Sequence, residues 1–251
     1  PPDPDAAMTC VFISDLHLDE AEPARTAAFE AFLASLPDEL RRLYILGDLF
    51  ESWIGDDDDA ELPARVARAL RVLAERGVRI AFMAGNRDFA LGPAYAERAG
   101  MELLGDPAVI DLAGAPALLM HGDTLCTDDT AYQAFRAQVR DPAWLAGMLA
   151  QPLAVRRAFA ARAREGSRAH TAGAGETIMD VNAGAVADAF RRHDVDLLIH
   201  GHTHRPAVHH DEVDGRPCRR IVLGDWYDQG TVLQVDDDGR MRLARIDHAS
   251  A

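Results

Sequence analysis

The sequence predicts an α/β fold, a four-layer α/β/β/α sandwich with an inserted helical cap, and three observations carry that reading. Apolar runs alternate with amphipathic helical stretches through the first hundred residues, short turn-bounded apolar runs fill the last sixty, and an Arg-rich helical stretch separates the two. Residues 10–14 predict a buried strand and 26–36 a helix with Phe29, Phe32, Leu33 and Leu36 on one face. Strand 43–46, helix 62–76 and strand 78–84 follow, and strand–helix–strand repetition implies right-handed parallel crossovers. After Gly100 come shorter strands at 108–112 and 117–120, turning near Gly114. The last part predicts strands at 195–200, 206–213, 219–223, 231–235 and 241–246, punctuated by Asp214-Gly215 and Asp238-Gly239.

The stretch 128–192 predicts helices. Its first part continues from a polar loop through Tyr132, Phe135 and Val139, and its middle interleaves Trp144, Leu145, Met148, Leu149, Leu153, Val155 and Phe159 with Arg. Gly-rich 171–175 is expected to be a flexible joint before a helix at 178–192. The expected division is a core of 8–127 and 176–251, a cap of 128–175, and a disordered acidic, proline-rich extension of 1–7 with Met8 as the original start. An amphipathic helix that only covers a core shows the same apolar stripe, so the cap rests on its position between two polar loops.

With 251 residues, 48% hydrophobic and 27% charged, the composition is that of a water-soluble globular domain, and no apolar run approaches the ~20 residues of a membrane span. A net charge of −15 argues against nucleic-acid binding. Lysine is absent, so Arg supplies every permanent cation. The stretch 140–168 stands apart, with Arg140, Arg156, Arg157, Arg162, Arg164 and Arg168 against Asp141 and Glu165, a candidate surface for anions. Three widely spaced cysteines, Cys10, Cys126 and Cys218, offer no thiolate metal motif and fit a reducing cytoplasm.

Five polar clusters follow apolar runs: Asp15-Leu16-His17, Gly47-Asp48, Gly85-Asn86-Arg87-Asp88, His121-Gly122-Asp123 and Gly201-His202-Thr203-His204. Each alone reads as a turn, but five carboxylate, amide and imidazole sites at strand ends describe a metal centre. Asp15, His17 and His204 can hold one ion and Asn86, His121 and His202 a second, with Asp48 bridging. Such donors favour hard divalent ions such as manganese. Two ions ~3.5–4 Å apart suit hydrolysis of a phosphoester or phosphoanhydride. Asp123 and Thr124 are expected to orient the His121 imidazole from behind.

In order and spacing these clusters resemble the metallophosphoesterases. More closely, stretches 44–57, 85–89, 120–129, 178–182 and 200–208 are similar to the UDP-2,3-diacylglucosamine diphosphatases of lipid A biosynthesis, a likeness that runs from Met8 to the C-terminus. The resemblance implies two manganese ions. It also implies cleavage of a UDP-linked diacylated glucosamine lipid to UMP and 2,3-diacylglucosamine 1-phosphate, by in-line attack of a metal-bridging hydroxide on the uridine-side phosphorus. It makes Arg87, Asp48 and His121 catalytic, and places Asn86, Arg87, Asp129, Tyr132, Ser167, His202 and Trp53 at the substrate. A cap Lys of some members is Ala174 here, where Arg168 or His170 could substitute. The location implied is peripheral, at the cytoplasmic face of the bacterial inner membrane.

Arg87 fits a phosphoanhydride, because many metallophosphoesterases place there a His that can protonate an alkoxide. A phosphate leaving group needs a fixed planar cation more than a proton; the alternative for Arg87 is a salt bridge to Asp88. Leu145, Met148, Leu149, Leu153 and Phe159 are expected to line an acyl groove, at ~0.8 kcal/mol per buried methylene, with the cap arginines facing anionic headgroups. The competing enzyme reading is a nucleotide or cyclic-nucleotide phosphodiesterase on the same metals, which predicts a polar cap. A non-catalytic scaffold would have lost ligands, and all seven are present.

Overall fold

The computed structural model describes residues 8–173, 180–227 and 229–247. Two sheets face one another. The first holds β1 (Met8–Ile13), β2 (Arg42–Leu46), β3 (Arg79–Met83), β4 (Met101–Leu104), β10 (Gln229–Asp236) and β11 (Met241–Asp247), in the order β11-β10-β1-β2-β3-β4. The second holds β5 (Ala108–Leu112), β6 (Ala115–Met120), β7 (Leu197–His200), β8 (Ala207–Val213) and β9 (Arg216–Val222), in the order β5-β6-β7-β9-β8.

Strand alternation builds the layers. Val11, Ile13, Leu43, Ile45, Ile80 and Phe82 pack outward with α1 (Pro23–Ser35), α2 (Glu61–Glu75) and α3 (Pro93–Ala99). Their neighbours Phe12, Tyr44, Leu46, Ala81 and Met83 point the other way, meeting Ala117, Leu119, Ile199 and Ile221 of the second sheet. The far face of that sheet, Leu118, Met120 and Leu198, buries Val186 and Phe190 of α7 (Ala183–His193). This is the expected α/β/β/α order. Between β6 and α7 the chain forms a single 3-10 turn at Asp123–Leu125, then α4 (Thr130–Val139), α5 (Pro142–Leu149) and α6 (Leu153–Gly173).

Several expectations need adjustment. The α1 helix starts at Pro23, a residue that fits the first helical position because its missing N–H is not needed there. Neither α3 nor β4 was anticipated, being seven and four residues long. The α6 helix continues through 171–173, where a joint was expected; residues 174–179 lie outside the described residues. The next helix starts at Ala183 rather than near Ile178, because the Asn182 side chain caps it by accepting from Ala185 N.

What matters for the site is the direction of the central strands. In the first sheet β1, β2 and β3 are adjacent and parallel, and in the second so are β6, β7 and β9. Loops after all six therefore emerge on the carboxyl side, where α/β sheets place ligands.

Candidate metal centre and adjoining groove

The seven expected ligands converge from these loops. His17 Nε2 lies 3.2 Å from His204 Nε2, and His204 Nε2 lies 3.4 Å from Asp15 Oδ1. Asn86 Oδ1 lies 2.8 Å from His121 Nε2 and 2.9 Å from His202 Nδ1. Asp48 stands between the two triads, with Oδ2 3.8 Å from His17 Nε2 and Oδ1 3.8 Å from His121 Nε2. The donor atoms of Asp15, His17 and His204 lie within 4.8 Å of one another, as do those of Asp15, Asp48 and His121.

Backbone conformation shows how tightly this is built. Asp15, His17, Asp48, His202 and His204 all have φ between 49° and 69°, the left-handed region that residues with a Cβ seldom occupy. Such strain persists where surrounding contacts over-determine it. Asp15 N donates to Gly47 O, His17 N to Asp48 O, and Gly201 N to His121 O, so each loop is tied to the next. A Cβ at Gly85 would overlap the Asp48 carboxylate, and one at Gly201 would overlap Ser14 Oγ and Asp15 Oδ2.

Behind the candidate ligands sit groups that orient them. His121 Nδ1 donates to Leu46 O at 2.8 Å, which turns Nε2 toward the centre. This corrects the expectation for Asp123 and Thr124. Asp123 instead accepts from Tyr132 Oη at 2.5 Å and Arg136 Nε at 2.7 Å. Glu51 holds His17 Nδ1 at 3.0 Å and Asp225 faces His204 Nδ1 at 3.3 Å, two roles that sequence reading missed. Buried Asp88 accepts from the backbone N–H groups of Gly85, Asp48, Leu49 and Phe50, bracing the Asp48 and Asn86 loops together. His200 lies fully buried, its Nδ1 donating to Gly201 O.

The electrostatics are those of a cation site. Burial disfavours a charged His121, yet Asp48, Asp123 and Asp15 push its imidazole up to about 9. Burial also opposes the Asp15 carboxylate, but pairing with His204 and the nearby His121 and His17 hold it well below the usual range. Asp15 Oδ1 is buried and, apart from the 3.4 Å approach of His204 Nε2, has no hydrogen-bond partner. A buried carboxylate oxygen left open, among carboxylate, amide and imidazole donors and no thiolate, fits a hard or borderline divalent ion.

A cavity of about 340 Å³ opens from Asn86 and Arg87 and runs between Trp53, Tyr132 and the helices α5 and α6. Leu145, Met148, Leu149 and Phe159 line it, as expected, whereas Leu153 does not. Trp53 is only 5% exposed, wedged against Phe50 and Tyr95, so its contribution is an edge of the wall. Asp129 is not among the lining residues: its carboxylate caps α4 by accepting from Tyr132 N. Ser167 belongs to α6, but its side chain lies outside the described residues, as do those of Arg168 and His170.

The arginines of 140–168 correct the charge reading. Arg156, 3% exposed, makes a two-pronged contact with Asp57 at 2.6 Å and donates to Ile54 O. Arg157 pairs with Asp58 and Asp59, Arg164 with Asp19, and Arg140 donates to Ala84 O and Gly85 O. These four bind the protein's own acceptors, Arg156 and Arg157 on the acidic loop 56–59 and the other two elsewhere. They are internal anchors before they are a lipid-facing surface.

The profile described as calcineurin-like phosphoesterase matches residues 8–206. The chain belongs to that family. It is 56% identical over 239 residues to the UDP-2,3-diacylglucosamine hydrolase of Xanthomonas campestris pv. campestris, covering 92% of this chain and 97% of that protein. The hydrolases of the same name from Xanthomonas axonopodis pv. citri and Stenotrophomonas maltophilia are 57% and 55% identical, again over 92% of this chain and over 97% and 96% of theirs.

Proposed function

We propose that this chain is a UDP-2,3-diacylglucosamine hydrolase, cleaving the pyrophosphate bond to give UMP and 2,3-diacylglucosamine 1-phosphate. The observation that carries the reading is the apolar groove that begins at Asn86 and Arg87, since a nucleotide-only substrate needs no such wall. Relatives of the same name at 55–57% identity support it. Asp15, His17 and His204 would hold one manganese ion and Asn86, His121 and His202 the other, with Asp48 shared. Bound divalent ions supply Lewis acidity toward the phosphorus centre and acidify water to a nucleophile.

The chain's own residues do the rest. Leu46 O, Glu51 and Asp225 fix three imidazoles in the tautomers that present a free nitrogen inward. Arg87, lining the groove where it meets the centre, stabilises the departing sugar 1-phosphate as its charge grows. Residues 128–175 act as a cap, with the α5 and α6 side chains taking the acyl chains out of water. A two-chain lipid substrate supports a peripheral protein working at the cytoplasmic face of the inner membrane. No helix among the described residues is long and apolar enough to cross a membrane.

Phosphorus NMR of the products formed in oxygen-18 water tests substrate, bond and attacked phosphorus together. The expected result is label in UMP alone; label in the sugar phosphate, or no turnover of the diacyl substrate, overturns the assignment. Chelation should abolish turnover and manganese restore it.

A further inference from the structure

The groove reaches the centre beside Asn86, which contacts His121 and His202, and Glu51, which holds His17 Nδ1, also lines it. Tyr227 stands at the His17 and His204 triad. Its ring lies parallel to the His17 imidazole, 5.3 Å between centroids and 9° between planes, and 5.7 Å from the His204 ring. The Arg25 guanidinium carbon is 4.8 Å from the ring centroid, and Arg25 Nη1 donates to His17 O at 2.6 Å. Tyr227 N donates to Asp225 Oδ1, the same carboxylate that faces His204. The ring is thus fixed by its own backbone, an imidazole and a guanidinium, yet it remains 46% exposed.

A rigid aromatic ring exposed at the rim of a metal centre is a preformed surface for a flat ligand. We propose that Tyr227 is the platform on which the pyrimidine base of the substrate stacks, an assignment that rests on the UDP-lipid reading above. A diphosphate has two ends. If the acylated sugar lies in the groove beyond Arg87 and the scissile phosphorus sits over Asp48, the nucleoside leaves across the His17 and His204 triad, where Tyr227 is the exposed aromatic surface. Stacking reads planarity, not a hydrogen-bonding edge, so the platform recognises a flat base.

The test compares UMP with dihydrouridine monophosphate, which keeps the edge groups but puckers the ring, by titration into the manganese-loaded full chain. Wild type should bind UMP ~10-fold more tightly than the dihydro analogue, within the range for one base on one aromatic side chain. Tyr227→Phe should keep that gap. Tyr227→Leu, which retains an apolar side chain over His17, should close it. A gap that persists in Tyr227→Leu, or is absent from wild type, overturns the platform. Turnover of UDP-2,3-diacylglucosamine by the same preparation reads the parent assignment separately. Turnover without a base-dependent gap defeats the platform alone, and absent turnover defeats the parent reading and the platform with it.

Discussion

Replacing Asp88 by Asn changes one oxygen for an amide nitrogen at the brace between the Asp48 and Asn86 loops. One Asp88 oxygen accepts from Gly85 N at 2.8 Å and Asp48 N at 3.3 Å, the other from Leu49 N at 2.7 Å and Phe50 N at 3.3 Å. Whichever way the Asn is turned, one short and one long contact are lost and an NH₂ group faces two N–H donors. A hydrogen bond to a charged acceptor contributes about 1.5–3 kcal/mol and the weaker contact about 1, so the expected loss is about 2.5–4 kcal/mol. Removing a buried charge offsets a part of this, since burial and the neighbouring Asp48 already push the Asp88 carboxyl up to about 6. For a domain of this size the loss is a fall in Tm of roughly 5–16 °C. Thermal unfolding with and without manganese, together with elemental analysis, is the assay. The metal content should fall as well, because the loops carrying Asp48 and Asn86 lose their common anchor. A variant within about 2 °C of wild type and with full metal content would refute the bracing role.

Arg87→Ala should retain its metals and lose about 10²-fold in kcat, the scale for removing one preorganised charge donor; loss of metal by elemental analysis would return Arg87 to a structural role. Asp48, Asp123 and Asp15 push the His121 imidazole up to about 9, so below that pH a bound ion would have to displace its proton. Manganese affinity should therefore rise up to about 10-fold per pH unit between about pH 7 and 8 and level off above about 9, with proton release measurable by calorimetry in buffers of different ionisation enthalpy. Leu149→Ala combined with Phe159→Ala should lower kcat/KM for the diacyl substrate about 10-fold relative to that for an aryl phosphodiester, since both side chains line the groove half-buried. Equal losses on the two substrates would show that they only support the fold.

The candidate ligands could be picked out in the sequence because each sits in a polar cluster after an apolar strand, and strand direction then decides that all of them meet. Partners that act through the backbone were not legible. Leu46 O orients His121, and a carbonyl leaves no mark in a sequence. Asp123 adjoins His121 in the chain yet turns away to Tyr132 and Arg136, so proximity in sequence misled where proximity in space decided. Glu51 and Asp225 are ordinary acidic residues until tertiary packing brings them to His17 and His204. The edge strand β4 escaped notice because only four residues carry it, of which Glu102 and Leu103 are exposed and break the alternation.

The arginines between 140 and 168 show the limit of counting charge along a chain. A local excess of cations inside an acidic protein suggests an external anion, but the same acidity supplies internal ones. Loop 56–59 presents Asp57, Asp58 and Asp59 to Arg156 and Arg157 at the start of α6, and Asp19, two residues beyond His17, meets Arg164 further along. The helix is therefore fastened at one point to the wall of the groove and at another to the metal loop. Arg156 is buried, so its pair with Asp57 is shielded from salt on one side, whereas the Arg157 contacts are exposed and screened. What α5 and α6 offer the groove is mainly apolar, Leu145, Met148, Leu149 and Phe159, and the two α6 arginines that also line it, Arg156 and Arg164, are paired with Asp57 and Asp19. Selection for the diacyl lipid in the proposed reaction then rests on methylene burial against a wall held in place by ion pairs, and much less on attraction of a charged headgroup.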